Sequence, residues 1–454
     1  MDLMKLQNGS DIRGIALPGV PGEEVNLTET AAGAIAFAFV QWLGQKVHKN
    51  PFELNVCIGC DSRLSAPELA VGLKKGICVM GSRVTDIGLA STPAMFMSTI
   101  MPQYEFDGAI MITASHLPWN RNGFKFFSPE GGLEKEDIRQ ILAKASKVNF
   151  VGEWYETGEA RVMANYALLL RQMITTGLAD CGGNLKGMHI VVDAGNGAGG
   201  FFATNVLEPL GADISGSQFL EPDGTFPNHQ PNPENKEAME SISRAVLENK
   251  ADLGIIFDTD VDRSAAVGPD GKEIARNEIV ALAAALAADT YPGGTVVTDS
   301  ITSNELHEFI EGKLGLKHLR FKRGYRNVIN KAKELSEAGE QAFLAIETSG
   351  HCAYSDNYYL DDGAFLAVQI VIAAARLKQQ GKTINALLEG LGAPAESKEV
   401  RYKLTADDFV ALGTQILEDL TAWVEATEGL ELEVPNYEGV RVNFKLEGSE
   451  GWFL

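Results

Sequence analysis

The residues best placed for covalent chemistry lie between two apolar runs in the first third of the chain. Gly-Ala-Ile-Met-Ile at 108–112 leads into Thr-Ala-Ser-His-Leu-Pro at 113–118, and Asn-Gly-Phe-Lys-Phe follows at 122–126. The pattern predicts a strand, a Pro-bounded turn and a second short strand. A turn at a strand end exposes its side chains, so Ser115 beside an imidazole, with Lys125 following, suits a nucleophilic or phosphoryl-carrying serine. From these residues alone, Ser115 equally fits a turn serine that bonds its own backbone.

A second cluster has the spacing of a metal site. Asp258, Asp260 and Asp262 directly follow an apolar run. In an extended turn their carboxylates converge and offer the hard oxygen ligands that suit Mg²⁺. An EF-hand loop would need Gly and Glu where Arg263 and Pro269 stand. An acidic turn open to water is the alternative, but carboxylates packed so closely repel one another unless a cation neutralises them. The spacing therefore predicts a metal site.

A third polar cluster, Glu347-Thr-Ser349-Gly-His351, also follows an apolar run. Its carboxylate, hydroxyl and imidazole suit hydrogen bonds to sugar hydroxyls, although the same residues fit a loop with a hydrogen-bonded histidine. Upstream, residues 321–326 form a basic turn. This turn fits either a phosphate contact or a solvated charge cluster.

These clusters recur with a common arrangement of elements. A short apolar strand ending in a polar turn, followed by a helical segment, appears at 55–63, 189–197 and 295–304, and each unit has a later strand that leads into one of the three clusters. The pattern predicts an α/β fold: three related mixed α/β domains around a central cleft, with a smaller, incomplete α+β domain at the C-terminus. The expected domains are 1–155 with the serine loop, 156–265 with the metal loop, 266–392 with the sugar loop and 393–454.

Several local signals are interpreted more simply. Thr28 is expected to cap a helix that runs to Lys46. Glycines at 195–200 fit a dinucleotide-binding pattern, but without an acidic strand end at the expected distance they indicate a tight turn. The segment 222–233, rich in Pro, Asn and Asp, is interpreted as a surface connector. Cys57-Ile-Gly-Cys60 lacks a second pair to complete a zinc site, so reduced structural cysteines are expected.

Composition limits the classes of partner. The chain has 454 residues, a net charge of −22 and five cysteines. So acidic a chain argues against nucleic acids and anionic membranes as partners. No segment reaches the roughly 18 uninterrupted apolar residues of a membrane span. The sequence starts without a secretory apolar region, so the expected compartment is the cytoplasm.

The three clusters, in this order, resemble the motifs of the α-D-phosphohexomutases, the phosphoglucomutase and phosphomannomutase superfamily. The serine segment is similar to the family's Thr-Ala-Ser-His-Asn-Pro and Asn-Gly-x-Lys, with Leu117 in place of Asn. The acidic cluster and Arg263 resemble the family's Asp-x-Asp-x-Asp-Arg, and the third cluster its Gly-Glu-x-Ser-Gly-His, with Ile346 in place of Gly. Near the N-terminus, Asp-Ile-Arg13-Gly resembles another family motif.

The resemblance implies roles for these residues. A phosphoryl group on Ser115 passes to the free 1- or 6-hydroxyl of a hexose phosphate, and the 1,6-bisphosphate turns over before it returns a phosphoryl group. The implied catalytic residues are Ser115, Lys125 as general acid/base, His116 and Arg13. The implied ligands of Mg²⁺ are the phosphorylated Ser115, Asp258, Asp260 and Asp262. The implied substrate-binding residues are Arg263, Glu347, Ser349, His351, Lys322 and Arg323.

The implied function is interconversion of hexose 1- and 6-phosphates of glucose or mannose by a monomer or homodimer. Phosphoglucosamine mutase is the nearest alternative, and a non-catalytic sugar-phosphate binding protein is the alternative from another class; a nicotinamide-dependent enzyme is more distant. The sequence departs from the family near Ile301 and Tyr325, where many relatives have a lysine and a Thr-Gly-His. It also ends before the family's Arg-x-Ser phosphate loop, so either the sequence is truncated or Lys322, Arg323 or Arg326 binds phosphate instead.

Overall fold

The computed structural model describes residues 2–104, 106–153, 157–446 and 448–454. Its contacts group into two compact units: Met1–Ile274 with Leu360–Ile384, and Ala275–Tyr359 with Asn385–Leu454. The boundary expected between residues 155 and 156 lies outside the described residues, and the other domain limits stay predictions.

The regular elements alternate along the chain. The helices are α1 (Glu29–Lys46), α2 (Ala66–Cys78), α3 (Thr92–Ile100), α4 (Lys135–Ala145), α5 (Val162–Gly177), α6 (Lys236–Asn249), α7 (Asn277–Ala287), α8 (Asn304–Glu308), α9 (Tyr325–Glu337), α10 (Gly363–Gln379) and α11 (Phe409–Glu425). The strands are β1 (Gln7–Asn8), β2 (Asp11–Ile15), β3 (Asn55–Cys60), β4 (Arg83–Leu89), β5 (Gly108–Ile112), β6 (Arg121–Ser128), β7 (Gly131–Gly132), β8 (Ile190–Asp193), β9 (Leu253–Phe257), β10 (Ser264–Val267), β11 (Glu273–Ile274), β12 (Thr295–Thr298), β13 (Lys317–Arg320), β14 (Leu344–Ile346), β15 (Cys352–Tyr354), β16 (Leu430–Leu432), β17 (Val442–Leu446) and β18 (Ser449–Phe453).

The first unit opens with a seven-stranded sheet in the order β1-β2-β6-β5-β3-β4, with β7 beside β6. Strand β3 runs parallel to β4 and β5, while β5 and β2 are antiparallel to β6. Thr28 caps α1 as predicted, because its hydroxyl accepts from the N–H of Ala31 at 3.2 Å. Helix α2 packs closely on α1: a Cβ added at Gly76 would lie 2.2 Å from the Gly33 carbonyl oxygen.

The second sheet of this unit has the order β11-β10-β9-β8, with β8 parallel to β9 and β9 antiparallel to β10. The glycine-rich segment after β8 forms the predicted tight turn: Gly195 has φ +52°, and the N–H of Gly197 donates to the Ala194 carbonyl at 2.8 Å. A Cβ at Gly197 would lie 2.6 Å from the carbonyl oxygen of Thr259. The turn is therefore packed against the acidic loop.

The second unit contains a four-stranded sheet, β13-β12-β14-β15, and a three-stranded antiparallel sheet, β16-β17-β18. The small sheet is anchored by Arg441, which is 1% exposed and lies 3.8 Å from the ring centre of Trp452. Its guanidinium donates to the carbonyl oxygens of Ser300 and Thr302 at 2.9 and 3.0 Å. The C-terminal segment therefore forms the smaller α+β domain that the sequence predicts.

The three larger sheets share one local plan, which confirms the predicted repeat. In each, a strand pairs in parallel with a later strand, and that later strand pairs antiparallel with the next one: β3, β5, β6 in the first, β8, β9, β10 in the second and β12, β14, β15 in the third. The loop that joins each antiparallel pair carries one of the three polar clusters.

Across the described ranges, no helix combines the length and apolarity needed to cross a membrane.

Candidate active site

Ser115 lies in the loop between β5 and β6, with a backbone φ of +48° that is uncommon for a residue other than glycine. Its N–H donates to the hydroxyl of Thr113 at 2.9 Å, which fixes the turn. Its hydroxyl donates to Asp258 Oδ2 at 2.9 Å and accepts from Arg263 Nη2 at 3.0 Å. The turn therefore aims the serine oxygen at the acidic loop, and within the turn this oxygen lies 3.3 Å from His116 Nδ1.

Arg63, which was not among the predicted site residues, binds the backbone of the serine loop. Its buried guanidinium donates to the carbonyl oxygens of Pro118 and Arg121 at 2.8 and 2.9 Å, and to those of Leu117 at 2.6 Å and Ser115. These four acceptors lie in one turn. The guanidinium fork therefore fixes the backbone that presents Ser115.

Asp61 balances the charge of Arg63. Its Oδ2 lies 3.3 Å from Arg63 Nε, and its Oδ1 accepts from the Arg63 N–H at 2.9 Å. Burial raises the pKa of Asp61 to about 6, against the lowering effects of the Arg63 charge and of a hydrogen bond from Thr113. The two residues form a buried ion pair under the serine loop.

The acidic loop between β9 and β10 gathers Asp258, Asp260 and Asp262, all with no solvent exposure. One carboxylate oxygen from each lies within 4.8 Å of the others. Val261 between them has φ +68°, a strained conformation for a β-branched residue. This strained conformation of Val261 accompanies an arrangement in which the alternating aspartates turn to the same side of the loop.

This acidic cluster fits a hard divalent cation. Within the described chain, the buried Asp260 Oδ1 meets no hydrogen-bond partner, and such an orphaned oxygen is costly unless a ligand satisfies it. Asp260 Oδ2 is held by the hydroxyl of Thr92 at the start of α3, and the Thr92 N–H donates to the Asp260 carbonyl at 2.8 Å. Buried oxygen donors of this kind are the chemistry that Mg²⁺ prefers.

Arg263 joins the acidic loop to the serine loop. Its guanidinium is 1% exposed and donates to Asp258 Oδ2 at 3.0 Å, to Ser115 Oγ and, at 2.7 Å, to His116 Nδ1. Because a guanidinium only donates, His116 Nδ1 accepts, which places the proton of a neutral ring on Nε2. Burial lowers the pKa of Arg263, but Asp258 and Asp262 outweigh it and raise the pKa overall. Arg263 is therefore a fixed cation beside the serine oxygen.

Lys125 points from β6 into the same cluster. Its Nζ contacts Asp262 Oδ2 and lies 3.7 Å from Asp260 Oδ2, and its side chain is 5% exposed. Both of these neighbours are carboxylates, so Lys125 lies on the acidic side of the site. Arg13 lies on β2 beside the loop, donating to the Thr113 carbonyl oxygen and, at 2.8 Å, to Asp11. The structure thus brings Ser115 and Lys125 to the predicted metal ligands.

Apart from Arg263, the predicted substrate-binding residues belong to the second unit. Glu347 Oε1 accepts from the N–H of Gly324 at 2.6 Å, and the His351 ring stacks on Tyr325 with centroids 5.0 Å apart. The basic turn with Lys322 and Arg323 therefore lies against the Glu347–His351 loop within this unit. Both basic residues are exposed.

Asp299 at the end of β12 is a further buried carboxyl in this unit. Its Oδ2 accepts from the Thr348 hydroxyl at 2.7 Å, and burial, followed by the charge of Glu347, raises its pKa to about 7. Asp61, Asp193 and Asp299 occupy the same place, at the end of the first strand of the three parallel pairs. In the sequence, an apolar strand followed directly by Asp recurs three times, and this recurrence is the signal that could have identified them.

The interpretation of segment 222–233 as a simple connector is wrong. Gln230 Nε2 donates to the His116 carbonyl oxygen at 2.8 Å, and Asn232 Oδ1 accepts from Arg263 Nη1 at 3.1 Å. A Cβ at Gly224 would lie 2.4 Å from the Ser62 carbonyl oxygen. The segment therefore supports the serine loop and Arg263.

All five cysteines are free, as expected.

With this geometry in place, comparison with known proteins identifies the family. Residues 4–151, 179–271 and 275–393 match, in order, the phosphoglucomutase/phosphomannomutase alpha/beta/alpha domains I, II and III. The chain belongs to the α-D-phosphohexomutase superfamily. It is thereby an enzyme of the intramolecular phosphotransferase class.

Individual relatives of this superfamily cover most of the chain. A phosphomannomutase/phosphoglucomutase of Pseudomonas syringae is 28% identical over 91% of this chain and 83% of its own length. A phosphoglucosamine mutase of Symbiobacterium thermophilum is 31% identical over 76% of this chain and 75% of its own. A solved phosphoglucomutase/phosphomannomutase family protein from Burkholderia thailandensis is 25% identical, with a TM-score of 0.78 over 100% of this chain and 93% of its own.

Proposed function

We propose that the chain interconverts hexose 1-phosphates and hexose 6-phosphates, of glucose, mannose or both, through phosphorylated Ser115 and a hexose 1,6-bisphosphate. One observation carries the proposal: the Ser115 hydroxyl lies 2.9 Å from an aspartate of the acidic cluster and 3.0 Å from the Arg263 guanidinium. A serine oxygen between a cation site and a fixed arginine suits phosphoryl transfer, in which charge neutralisation and positioning supply most of the catalysis.

Asp258, Asp260 and Asp262 would hold Mg²⁺, together with the phosphoryl oxygens on Ser115. The bound cation would neutralise the phosphoryl charge. The orphaned Asp260 oxygen and the burial of all three carboxylates support this assignment.

The chain's own residues carry the rest of the transfer. The bond between Ser115 Oγ and phosphorus breaks as a sugar hydroxyl forms its bond to phosphorus, and Arg263 stabilises the charge left on the serine oxygen. As a neutral amine, Lys125 Nζ takes the proton of the attacking hydroxyl, and the resulting ammonium gives a proton to the serine oxygen, so the Ser115 hydroxyl is regenerated. The reverse step follows the same path in the opposite direction. His116, which accepts from Arg263, orients the serine loop, and Arg13 adds positive potential beside Thr113.

The third polar cluster and the basic turn are the substrate-binding residues in this proposal. Among the described residues, the buried Ser349 Oγ meets no hydrogen-bond partner, which leaves it available for a sugar hydroxyl. Glu347 and His351 would share the sugar, and the exposed Lys322 and Arg323 would contact a phosphate group. The pseudo-symmetric bisphosphate can then be held in both orientations by contacts near its middle.

Phosphoglucosamine is a second candidate substrate, because the Symbiobacterium relative is named for that activity and is 31% identical. A single altered sugar substituent changes binding by only about 1–3 kcal/mol where no buried polar group is left unpaired. Both substrates must therefore be tested. Action in the cytoplasm, as a monomer or homodimer, stays a prediction.

The test is conversion of glucose 1-phosphate to glucose 6-phosphate with Mg²⁺ and hexose 1,6-bisphosphate, repeated with mannose and glucosamine phosphates. Ser115→Ala should abolish turnover. Ser98→Ala is the matched control, because the Ser98 hydroxyl bonds the carbonyl of Met95 within α3. No turnover of any of the three sugars by the wild-type chain would contradict the proposal and favour a binding role.

A further inference from the structure

The segment 222–233 contains a buried histidine that the proposed chemistry does not use. His229 is 7% exposed, and its Nε2 lies 2.9 Å from Oδ2 of the fully buried Asp193. Its Nδ1 lies 3.0 Å from the carbonyl oxygen of Gln230. The ring edge packs against Phe219, with centroids 5.3 Å apart. Both ring nitrogens are therefore engaged away from solvent.

The partners of the ring determine its charge. A backbone carbonyl oxygen can only accept, and so can an ionised carboxylate. Asp193 also accepts from the N–H of Gly195 at 2.8 Å and from Gln218 Nε2 at 2.6 Å, which suits the ionised form. Each ring nitrogen of His229 must then carry a proton. The geometry describes an imidazolium that bridges a carboxylate and a backbone carbonyl.

The charged groups around the ring favour the same state. Burial lowers the pKa of His229, but the hydrogen bond and charge of Asp193, the bond to Gln230 and the charge of Glu237 outweigh it and raise the pKa. If the ring lost a proton, one nitrogen would present a lone pair to an acceptor. One end of the bridge would then be repelled, and the backbone at Gln230 would be released.

The backbone held in this way leads directly to the serine. Gln230 Nε2 donates to the His116 carbonyl oxygen at 2.8 Å. Two residues further on, Asn232 Oδ1 accepts from Arg263, whose Nη2 donates to Ser115 Oγ at 3.0 Å. The segment therefore contacts both the loop that carries the serine and the arginine that faces its oxygen.

We propose that His229 is a positioning residue: as an imidazolium clamped between Asp193 and the Gln230 carbonyl, it fixes residues 229–232, which in turn fix the Ser115 loop and Arg263. Its importance for turnover rests on the proposed function. The charge state of His229 and its effect on the serine loop do not rest on that function. The positioning role and the proposed function can therefore be tested separately.

The charge state is tested by ¹⁵N NMR of the histidine rings in the full chain, with His229→Gln used to assign the signal. Both ring nitrogens of His229 should be protonated at neutral pH, and the ring should lose its proton only above the ordinary pKa of about 6.5. A neutral His229 ring at pH 7 would overturn the proposal.

The positioning role is tested by hydrogen exchange over residues 113–118 in His229→Gln and in Gln230→Ala. The Gln230 side chain is exposed, so its removal leaves the core intact. His189→Gln is the control, since His189 bonds the Ser215 carbonyl outside this chain of contacts. We expect both test variants, but not the control, to raise exchange of the serine loop by about tenfold, which is the change expected when one hydrogen bond that holds the loop is lost.

Turnover then separates this proposal from the proposed function. In an active wild-type chain, Gln230→Ala should lower kcat by about tenfold with little change in KM, because the serine and not the sugar is displaced. In the wild-type chain, kcat should decline on the alkaline side of the pH profile as the His229 ring loses its proton. His229→Gln should remove this decline. An inactive wild-type chain would contradict the proposed function alone. Unchanged exchange in both test variants would overturn the positioning role whatever the activity.

Discussion

Replacement of Arg63 by lysine tests how the serine loop is held. Arg63 donates to four carbonyl oxygens, those of Ser115, Leu117, Pro118 and Arg121, from two guanidinium nitrogens. A lysine keeps the charge opposite Asp61 but offers only three N–H groups from one atom. At least one carbonyl must therefore lose its charged donor, and the planar fork that spans the turn is lost.

The cost follows from the burial of these groups. A buried acceptor that loses its donor costs about 1–3 kcal/mol. With one or two such losses, Arg63→Lys should lower the free energy of unfolding of the first unit by about 3 kcal/mol. The turn at Ser115 should also loosen, and kcat should fall by at least about tenfold, because small displacements of reacting groups are costly.

Urea unfolding followed by circular dichroism measures the stability, and the glucose 1-phosphate assay measures kcat. Arg139→Lys is the matched control, because Arg139 pairs with Glu136 on the exposed face of α4, 62% and 59% exposed. The control should change stability by less than about 0.5 kcal/mol. If Arg63→Lys behaves like this control in both assays, the assignment of Arg63 as the support of the serine loop is refuted.

Further predictions concern charge. Asp260→Asn should weaken Mg²⁺ binding in calorimetry at least about tenfold, whereas equal affinity would contradict the metal site. Lys125→Met should lower kcat by about 10²–10⁴ with little change in KM, and a change in KM alone would exclude it as the proton carrier. Because the folded-state pKa of Asp299 is about 7 against an ordinary 3.8, the native state holds an extra proton between these values. Stability to urea should therefore fall as pH rises through that window, and Asp299→Asn should flatten the fall. Burial raises the pKa of Cys57 and Cys60 to about 12, so thiol reagents should label them only after unfolding.

The fold was largely predictable because its signals are local. Thr28 caps α1 where a hydroxyl before an Ala-rich run indicates a helix start, and the acidic loop lies where an apolar run ends. The three sheets were predictable as repeats because strand, turn and helix recur in order. These features depend on neighbours in sequence, so a single chain reveals them.

The supports of the site were not predictable in the same way. Arg63 contacts residues more than 50 positions away, and Gln230 contacts His116 over 114 positions. A Pro- and Asn-rich composition correctly indicates irregular backbone in segment 222–233, but it does not indicate what that backbone touches. The neighbours of Lys125 were not predictable for the same reason: the carboxylates beside it come from a different sheet.

In the proposed mechanism, Ser115 carries the phosphoryl group. The most direct test is mass spectrometry of the chain after incubation with hexose 1,6-bisphosphate and Mg²⁺, with peptide mapping before and after addition of hexose monophosphate. We expect one phosphoryl group on the peptide that contains Ser115. It should be lost to the sugar when hexose monophosphate is added, and it should be absent from Ser115→Ala. A phosphoryl group on another residue, or active turnover with Ser115 never modified, would contradict it.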